Sequence, residues 1–162
     1  MVATVQIHEK NGAGGTGTDK TSGTITFRTN DSSATTSANP LIIPTAGTEF
    51  SYEKWTRLNV TVAPDTNISN LKFYTDGGGF GGGVNMYAKA TTTYTTPAEA
   101  TATGGYTDAF TYTSGSALSL GTGTFTGTGE KGDHCEMIMT VSTAASPGQL
   151  TAETITYAYD EI

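Results

Sequence analysis

The sequence predicts an all-β fold: a single-domain β-sandwich, jelly-roll-like, with eight or nine strands joined by long loops rich in glycine and threonine. The 162 residues include 34 threonines and 21 glycines, and threonine favours strands whereas glycine marks turns. Apolar and polar residues alternate along many short runs, and no stretch keeps a 3.6-residue apolar period over three turns. The length suits one domain, residues 1–162.

Runs of alternating apolar residues place the strands in chain order. The first half of the chain has runs that begin at Val5, Ile25, Leu41, Phe50, Leu58 and Leu71. The second half has runs that begin at Val84, Leu118, Cys135 and Ile155. The register slips within the stretch that holds Phe50 and Leu58, near Glu53 to Trp55, and this slip predicts a bulge or corner.

Two regions are less defined by their sequence. Residues 1–22 predict a strand followed by an extended Gly-rich arm or loop, which is free to drape over a neighbouring protein. Residues 88–123 are rich in Thr, Ala, Ser and Gly and contain few large apolar side chains. For that region, both long strands and loops that order only against a partner remain open.

The charge pattern excludes two classes of partner. The net charge is −7 and charged residues make up 14% of the chain, whereas a nucleic-acid-binding domain carries a basic stripe, so no nucleic acid is expected. No apolar run approaches the ~20 residues of a membrane-spanning helix, so no membrane is expected. The N-terminus lacks the basic and apolar regions of a secretory signal, which predicts a protein kept in a cytoplasm or released without a signal.

The stretch "TDGGGFGGGVNMY", from Thr75 to Tyr87, holds six glycines around Phe80. It lacks the Gly-Lys-Ser/Thr ending of a phosphate-binding loop, and strand-like runs flank it, so a hairpin with a long glycine tip is the simplest interpretation. Phe80 has no apolar neighbour in the sequence, so we expect it to lack a local packing partner. Phe80, Gly79 and Gly81 are therefore candidate partner-contact residues, with a mobile loop of no function as the alternative.

No catalytic, cofactor-binding or metal-binding residues are expected. The "GAGGTG" match to a dinucleotide-binding motif leads into turn and strand residues, where that motif needs a helix. In "GDHCEM", strand alternation places Cys135 with the core residues and His134 with Glu136 on the other side. The chain has only 2 histidines and 1 cysteine, too few for a common zinc site. An enzyme is not expected.

Trp55, the single tryptophan, lies between two alternating runs. A large aromatic side chain is usually buried, so a core or corner anchor is the favoured interpretation. The alternative is an exposed platform for sugar stacking, which Tyr52 and other tyrosines would extend, as in jelly-roll carbohydrate-binding modules.

The first half of the chain resembles accessory structural proteins of tailed bacteriophages. The resemblance lies in "VQIHEKNGAGGTGTDKTSGTITF", "NPLIIPTAGTEFSYEKWTRLNVT" and "ISNLKFYTDG", and it extends to about Asp76. Such proteins are small, β-rich virion components. They include capsid decoration or cement proteins and components of the tail or neck.

The resemblance implies a non-enzymatic virion protein, assembled in the host bacterial cytoplasm, that stabilises the head as a capsid decoration protein. Its partners would be the major capsid protein or other virion proteins, and it would act as a homo-oligomer on the particle. A tail or neck component and a carbohydrate-binding jelly-roll module are the alternatives. The resemblance implies no catalytic residues and no cofactor.

Overall fold

This computed structural model describes residues 2–162, which form ten β-strands and one 3₁₀ helix, Ala109–Thr111. The strands are β1 (Thr4–Asn11), β2 (Thr16–Asp19), β3 (Thr48–Phe50), β4 (Lys54–Val62), β5 (Ile68–Thr75), β6 (Val84–Thr91), β7 (Thr107–Asp108), β8 (Leu118–Gly121), β9 (Gly129–Ser142) and β10 (Ile155–Glu161).

The strands form two antiparallel sheets that pack into a β-sandwich. The large sheet has seven strands in the order β2-β1-β4-β9-β6-β7, with β3 also paired to β9, and the small sheet has the order β10-β5-β8. The predicted all-β sandwich is therefore confirmed, with ten strands in place of eight or nine. The jelly-roll topology within that class stays a prediction.

The core lies between the inner faces of the two sheets. Strand alternation sends every second side chain of β4, β6 and β9 inward. The fully covered core side chains include Leu58, Ile68, Leu71, Phe73, Ala88, Leu120, Cys135 and Met137. Cys135 thus lies in the core, where its alternation with Met137 predicts it.

The predicted slip between Phe50 and Leu58 is confirmed. Phe50, in β3, pairs with Thr140, and Lys54, in β4, pairs with Met137. The four residue steps from Phe50 to Lys54 therefore lie opposite only three residue steps along β9. The residues of this bulge find other partners, since the Ser51 carbonyl accepts from the Ala100 amide at 3.0 Å and the Glu53 amide donates to Ala98 at 3.0 Å. The bulge therefore anchors the segment at Ala98–Ala100.

The sequence left open whether residues 88–123 form long strands or loops that order only against a partner, and the structure shows strands joined by segments packed on their own chain. Residues 88–91 belong to β6, residues 118–121 form β8, and Tyr94 and Tyr106, between them, pack on the outer face of the large sheet. Residues 88–123 therefore pack against their own chain. Trp55 and Ile138, whose side chains strand alternation would expose, are buried.

Three expectations about local structure are corrected. Ile25–Phe27 and Leu41–Ile43 are not strands, although their side chains pack against the core. The glycine-rich residues after Asn11 are not an extended arm, because β2 folds back on β1 through a turn closed by a bond from the Gly15 amide to the Gly12 carbonyl.

The glycine run at Gly77–Gly83 is not a hairpin tip. It joins β5 of the small sheet to β6 of the large sheet. Crossing between sheets needs backbone conformations that favour glycine, and five of its glycines have positive φ. At Gly83, φ is +81° and an added Cβ would lie 2.5 Å from the Ser142 hydroxyl.

Candidate functional site

An apolar cleft of about 1430 Å³ opens between the inner face of the large sheet, β10, and the segments 20–43 and 145–154. We call it the cleft. Its floor is formed by inward side chains of β1, β4, β6 and β9. These include Val5, Ile7, Leu58, Val84, Met86, Met137, Met139 and Val141. The floor residues of β4, β6 and β9 are at most 6% exposed. Side chains from irregular segments, among them Phe27, Leu41 and Leu150, pack over them.

One wall of the cleft is β10, Ile155–Glu161. Within the described chain, β10 pairs with β5 alone, so its second edge has no strand partner. Ile155, Tyr157 and Tyr159 pack toward the core and line the cleft. The strand contains no proline and no lysine, the residues that commonly protect an edge. This wall therefore offers unpaired backbone groups beside an apolar surface.

The other wall includes residues 24–28, a segment outside the strands. Ile25 and Phe27 pack against the core. In the described chain, two of this segment's carbonyls are paired: the Thr24 oxygen accepts from Lys20 Nζ at 3.0 Å and the Arg28 oxygen accepts from the Tyr52 amide at 3.0 Å. Its other backbone groups have no hydrogen-bond partner among residues 2–162, so this wall has a second open edge.

Arg28 lies on the cleft wall with its side chain 2% exposed. Its Nη2 donates to the carbonyl and hydroxyl oxygens of Thr36, which also lines the cleft. Arg28 Nε is buried without an acceptor. No described carboxylate lies within ion-pair distance of the guanidinium. A buried cation without an opposite charge is costly, and an anion at this place would relieve the cost.

A buried ion-pair network holds the same wall. Glu9 and Lys54 are 0% exposed, and their Oε1 and Nζ lie 2.9 Å apart, while Lys20 Nζ lies 3.6 Å from Glu9 Oε2. Lys54 also donates to the Ser32 carbonyl and Lys20 to the Ser33 carbonyl, each at 2.6 Å. Two lysines thus share one carboxylate and fix the loop that follows Arg28.

Phe80 is part of this region. Its ring meets Phe110 edge to face, with 5.5 Å between centroids, and it lines the cleft. The expectation that Phe80 lacks a local packing partner is therefore wrong, because Phe110 reaches it through the fold. Gly79 lies against the Phe110 ring, and Gly81 has open space around it. The role of these three residues in partner contact stays a prediction.

Trp55 is a buried anchor on the opposite face of the large sheet, 2% exposed. Tyr94 and His134 cover it edge to face at 5.3 and 5.6 Å, and its Nε1 donates to Glu53 Oε2 at 3.1 Å. A sugar platform needs an accessible ring face, which this placement does not provide. Tyr52 lies apart, half-buried, paired with Glu99. The platform interpretation is therefore corrected.

The buried carboxylate of that face has its partners within the protein. Buried Glu136 accepts hydrogen bonds from the Tyr106 and Thr91 hydroxyls and forms an ion pair with Lys89 at 3.1 Å. Burial, followed by the bond to Glu136, raises the pKa of Tyr106 far above its ordinary value. Burial likewise raises the pKa of the Cys135 thiol, which keeps it protonated and a weak nucleophile.

His134 makes stability depend on pH. Burial, and then the charge of Arg57, lower its pKa below the ordinary 6.5. The neutral ring donates from Nδ1 to the Thr91 carbonyl at 3.3 Å, and Nε2 is buried without a partner. Between the folded pKa and 6.5 the unfolded chain binds more protons, so stability is lost as the pH falls through that window.

We therefore expect the free energy of unfolding to fall between pH 7 and pH 5, measured by urea denaturation. His134→Phe keeps the ring packing without a titrating group, so it should flatten this dependence, whereas the control His8→Gln should keep it. Equal pH dependence in the wild type and His134→Phe would contradict the assignment.

Among residues 2–162, no three His, Cys, Asp or Glu side chains come together as a metal site. In the same part of the chain, no helix has the length and apolarity to cross a membrane. Comparison of the chain with protein-family models, curated proteins and solved structures gives no significant match. The cleft and its walls are therefore the features of the molecule that bear on its function.

Proposed function

We propose that the chain is a non-enzymatic structural protein of a bacteriophage virion. Its role would be that of a capsid decoration protein that stabilises the head through contacts with the major capsid protein. The observation that carries the proposal is the cleft beside the free edge of β10. An apolar cleft bounded by unpaired strand edges is a surface that suits a protein partner.

The unprotected edge supports an assembly role. Free-standing proteins commonly protect long edges with lysine, proline or a covering segment, because open edges pair with other chains. Four of the seven residues of β10 have high strand propensity (Ile155, Thr156, Tyr157 and Tyr159), and the strand contains neither lysine nor proline. A partner that covers the edge on the particle would remove the liability, and many copies in a symmetric array would multiply modest contacts.

The state of the ionisable groups supports a non-enzymatic role. The buried carboxylates Glu9 and Glu136 are each held by lysines, and the thiol of Cys135 lies in the core. Catalytic acids, bases and nucleophiles need access to a substrate together with a matched partner. A component of the phage tail or neck is the other location that this proposal admits.

Cosedimentation of the purified protein with capsids, and separately with tails, tests the proposal across a range of salt concentrations. We expect saturable binding to capsids, with a ratio per capsid subunit that reflects particle symmetry. Binding to tails alone would move the protein to the tail or neck. Binding to neither would overturn the virion role.

A further inference from the structure

We infer that the cleft is a binding site for a β-strand that a partner protein supplies. An extended segment of a partner polypeptide would pair with the free edge of β10 on one side and with residues 24–28 on the other. It would direct alternate apolar side chains onto the floor of the cleft and present a carboxylate to Arg28. This inference deepens the proposed function, on which it rests for the identity of the partner, and it concerns the same cleft.

The sandwich itself points to a missing strand. Three strands face seven, and irregular segments of the chain, in place of further strands, cover the apolar floor. β10 and residues 24–28 both line the cleft, and each lacks a strand partner on one or both edges within the described chain. An inserted strand would extend the small sheet beyond β10 and satisfy backbone groups of both walls.

Backbone chemistry favours a polypeptide over a lipid-like chain. Of the floor strands, β4 and β9 lie inside the large sheet, and β1 and β6 each pair along their length with an inner neighbour, so the floor offers mainly side chains. The walls, in contrast, offer unpaired N–H and C=O groups, which an aliphatic chain would bury without partners at a cost. A strand satisfies these groups and still places every second side chain on the apolar floor.

The floor suits side chains of varied shape. Met86, Met137 and Met139 lie side by side across β6 and β9, where Met86 pairs directly with Met139. Methionine side chains are flexible and polarizable, so they adapt to different apolar partners. The cleft therefore selects for alternation of apolar residues more than for one particular sequence.

Arg28 adds a charge requirement. Arg28, Lys20 and Lys54 are three buried cations of this wall. In the described chain, Glu9 is the one carboxylate within ion-pair distance of them, and it pairs with Lys20 and Lys54. A partner carboxylate at Arg28 would accept from the unpaired Nε and balance the wall. The occupant is therefore an apolar extended segment of a partner polypeptide that carries an acidic residue.

The test supplies the missing strand directly. An Asn-Gly turn and a seven-residue strand of alternating Val and Thr are appended after Ile162, so that the added strand can fold back along β10. Each inward position in turn carries Glu, and a matched set carries Gln. The tether gives an effective concentration in the millimolar range, so even weak insertion is seen.

We expect amide exchange of residues 24–28 to slow by about tenfold or more in the best fusion, a change of about 1.4 kcal/mol. We also expect one Glu fusion to raise the melting temperature about 3 °C above its Gln counterpart, a difference that Arg28→Gln abolishes. Ser114→Lys, on an exposed turn away from the cleft, is the control and should leave that difference intact.

Three results would overturn the inference: no fusion slows exchange at residues 24–28, the Glu and Gln sets behave alike, or the Glu advantage survives Arg28→Gln. Dodecanoate that binds the untethered protein while every fusion fails would identify the cleft as a site for an aliphatic acid instead. None of these outcomes depends on capsids, so failure here is distinct from failure of the virion role in cosedimentation.

Discussion

Lys54→Met is expected to reduce the free energy of unfolding by about 3–5 kcal/mol, because it leaves a buried carboxylate without its main partner. Glu9 is 0% exposed and would retain only Lys20, at 3.6 Å. The same change removes the bond from Lys54 to the Ser32 carbonyl, which holds the loop after Arg28. Urea denaturation monitored by Trp55 fluorescence measures the loss.

The matched control for this prediction is the double variant Glu9→Leu with Lys54→Met, which replaces the charge pair by apolar side chains. We expect it to recover much of the stability that the single variant loses, since removing both partners leaves no uncompensated buried charge at Glu9. A single variant as stable as the wild type would contradict the ion-pair network.

Gly132→Ala is expected to be comparably destabilising, by about 3–5 kcal/mol. Gly132 lies in the bulge where β9 slips against β4, and its φ is +69°. A Cβ there would lie 2.4 Å from the Leu120 carbonyl oxygen and 2.8 Å from the Leu71 side chain. The Leu120 carbonyl is backbone of the neighbouring sheet and cannot move without disturbing β8.

Gly81→Ala separates the effect of a positive φ from the effect of the steric clash expected at Gly132. Gly81 has nearly the same φ, +65°, but an added Cβ would meet no atom of the described chain within 4 Å. We expect a loss of about 1 kcal/mol from backbone strain alone. Similar losses for the two variants in thermal denaturation would show that the close approach of β8 to Gly132 is not a constraint on stability.

Much of the fold follows from the sequence because strand alternation is a local signal. Runs such as Cys135 to Val141 place their inward residues correctly, and the register slip before Trp55 marks a real bulge. The glycine run after Asp76 misleads for a physical reason: turns and sheet crossings both need positive φ, so composition alone does not tell them apart. Which sheet each flanking strand joins depends on distant pairings.

The walls of the cleft were less accessible to prediction. Ile25 and Phe27 alternate like a strand, but alternation does not reveal whether a pairing partner exists. A signal was nevertheless present in the sequence. Glu9 continues the inward alternation of Val5 and Ile7, and Lys54 lies on the same alternation as Leu58 and Val60. Charges at inward positions indicate a buried pair, although not its geometry.

Capsid cosedimentation of Thr156→Lys, beside the wild type and Ser114→Lys, tests whether the β10 edge binds the particle. Thr156 lies on the outward phase of β10, so a lysine there protects the edge without entering the core. We expect Thr156→Lys to lose at least about tenfold in capsid affinity, while Ser114→Lys binds like the wild type. Undiminished binding by Thr156→Lys would contradict the role of the β10 edge.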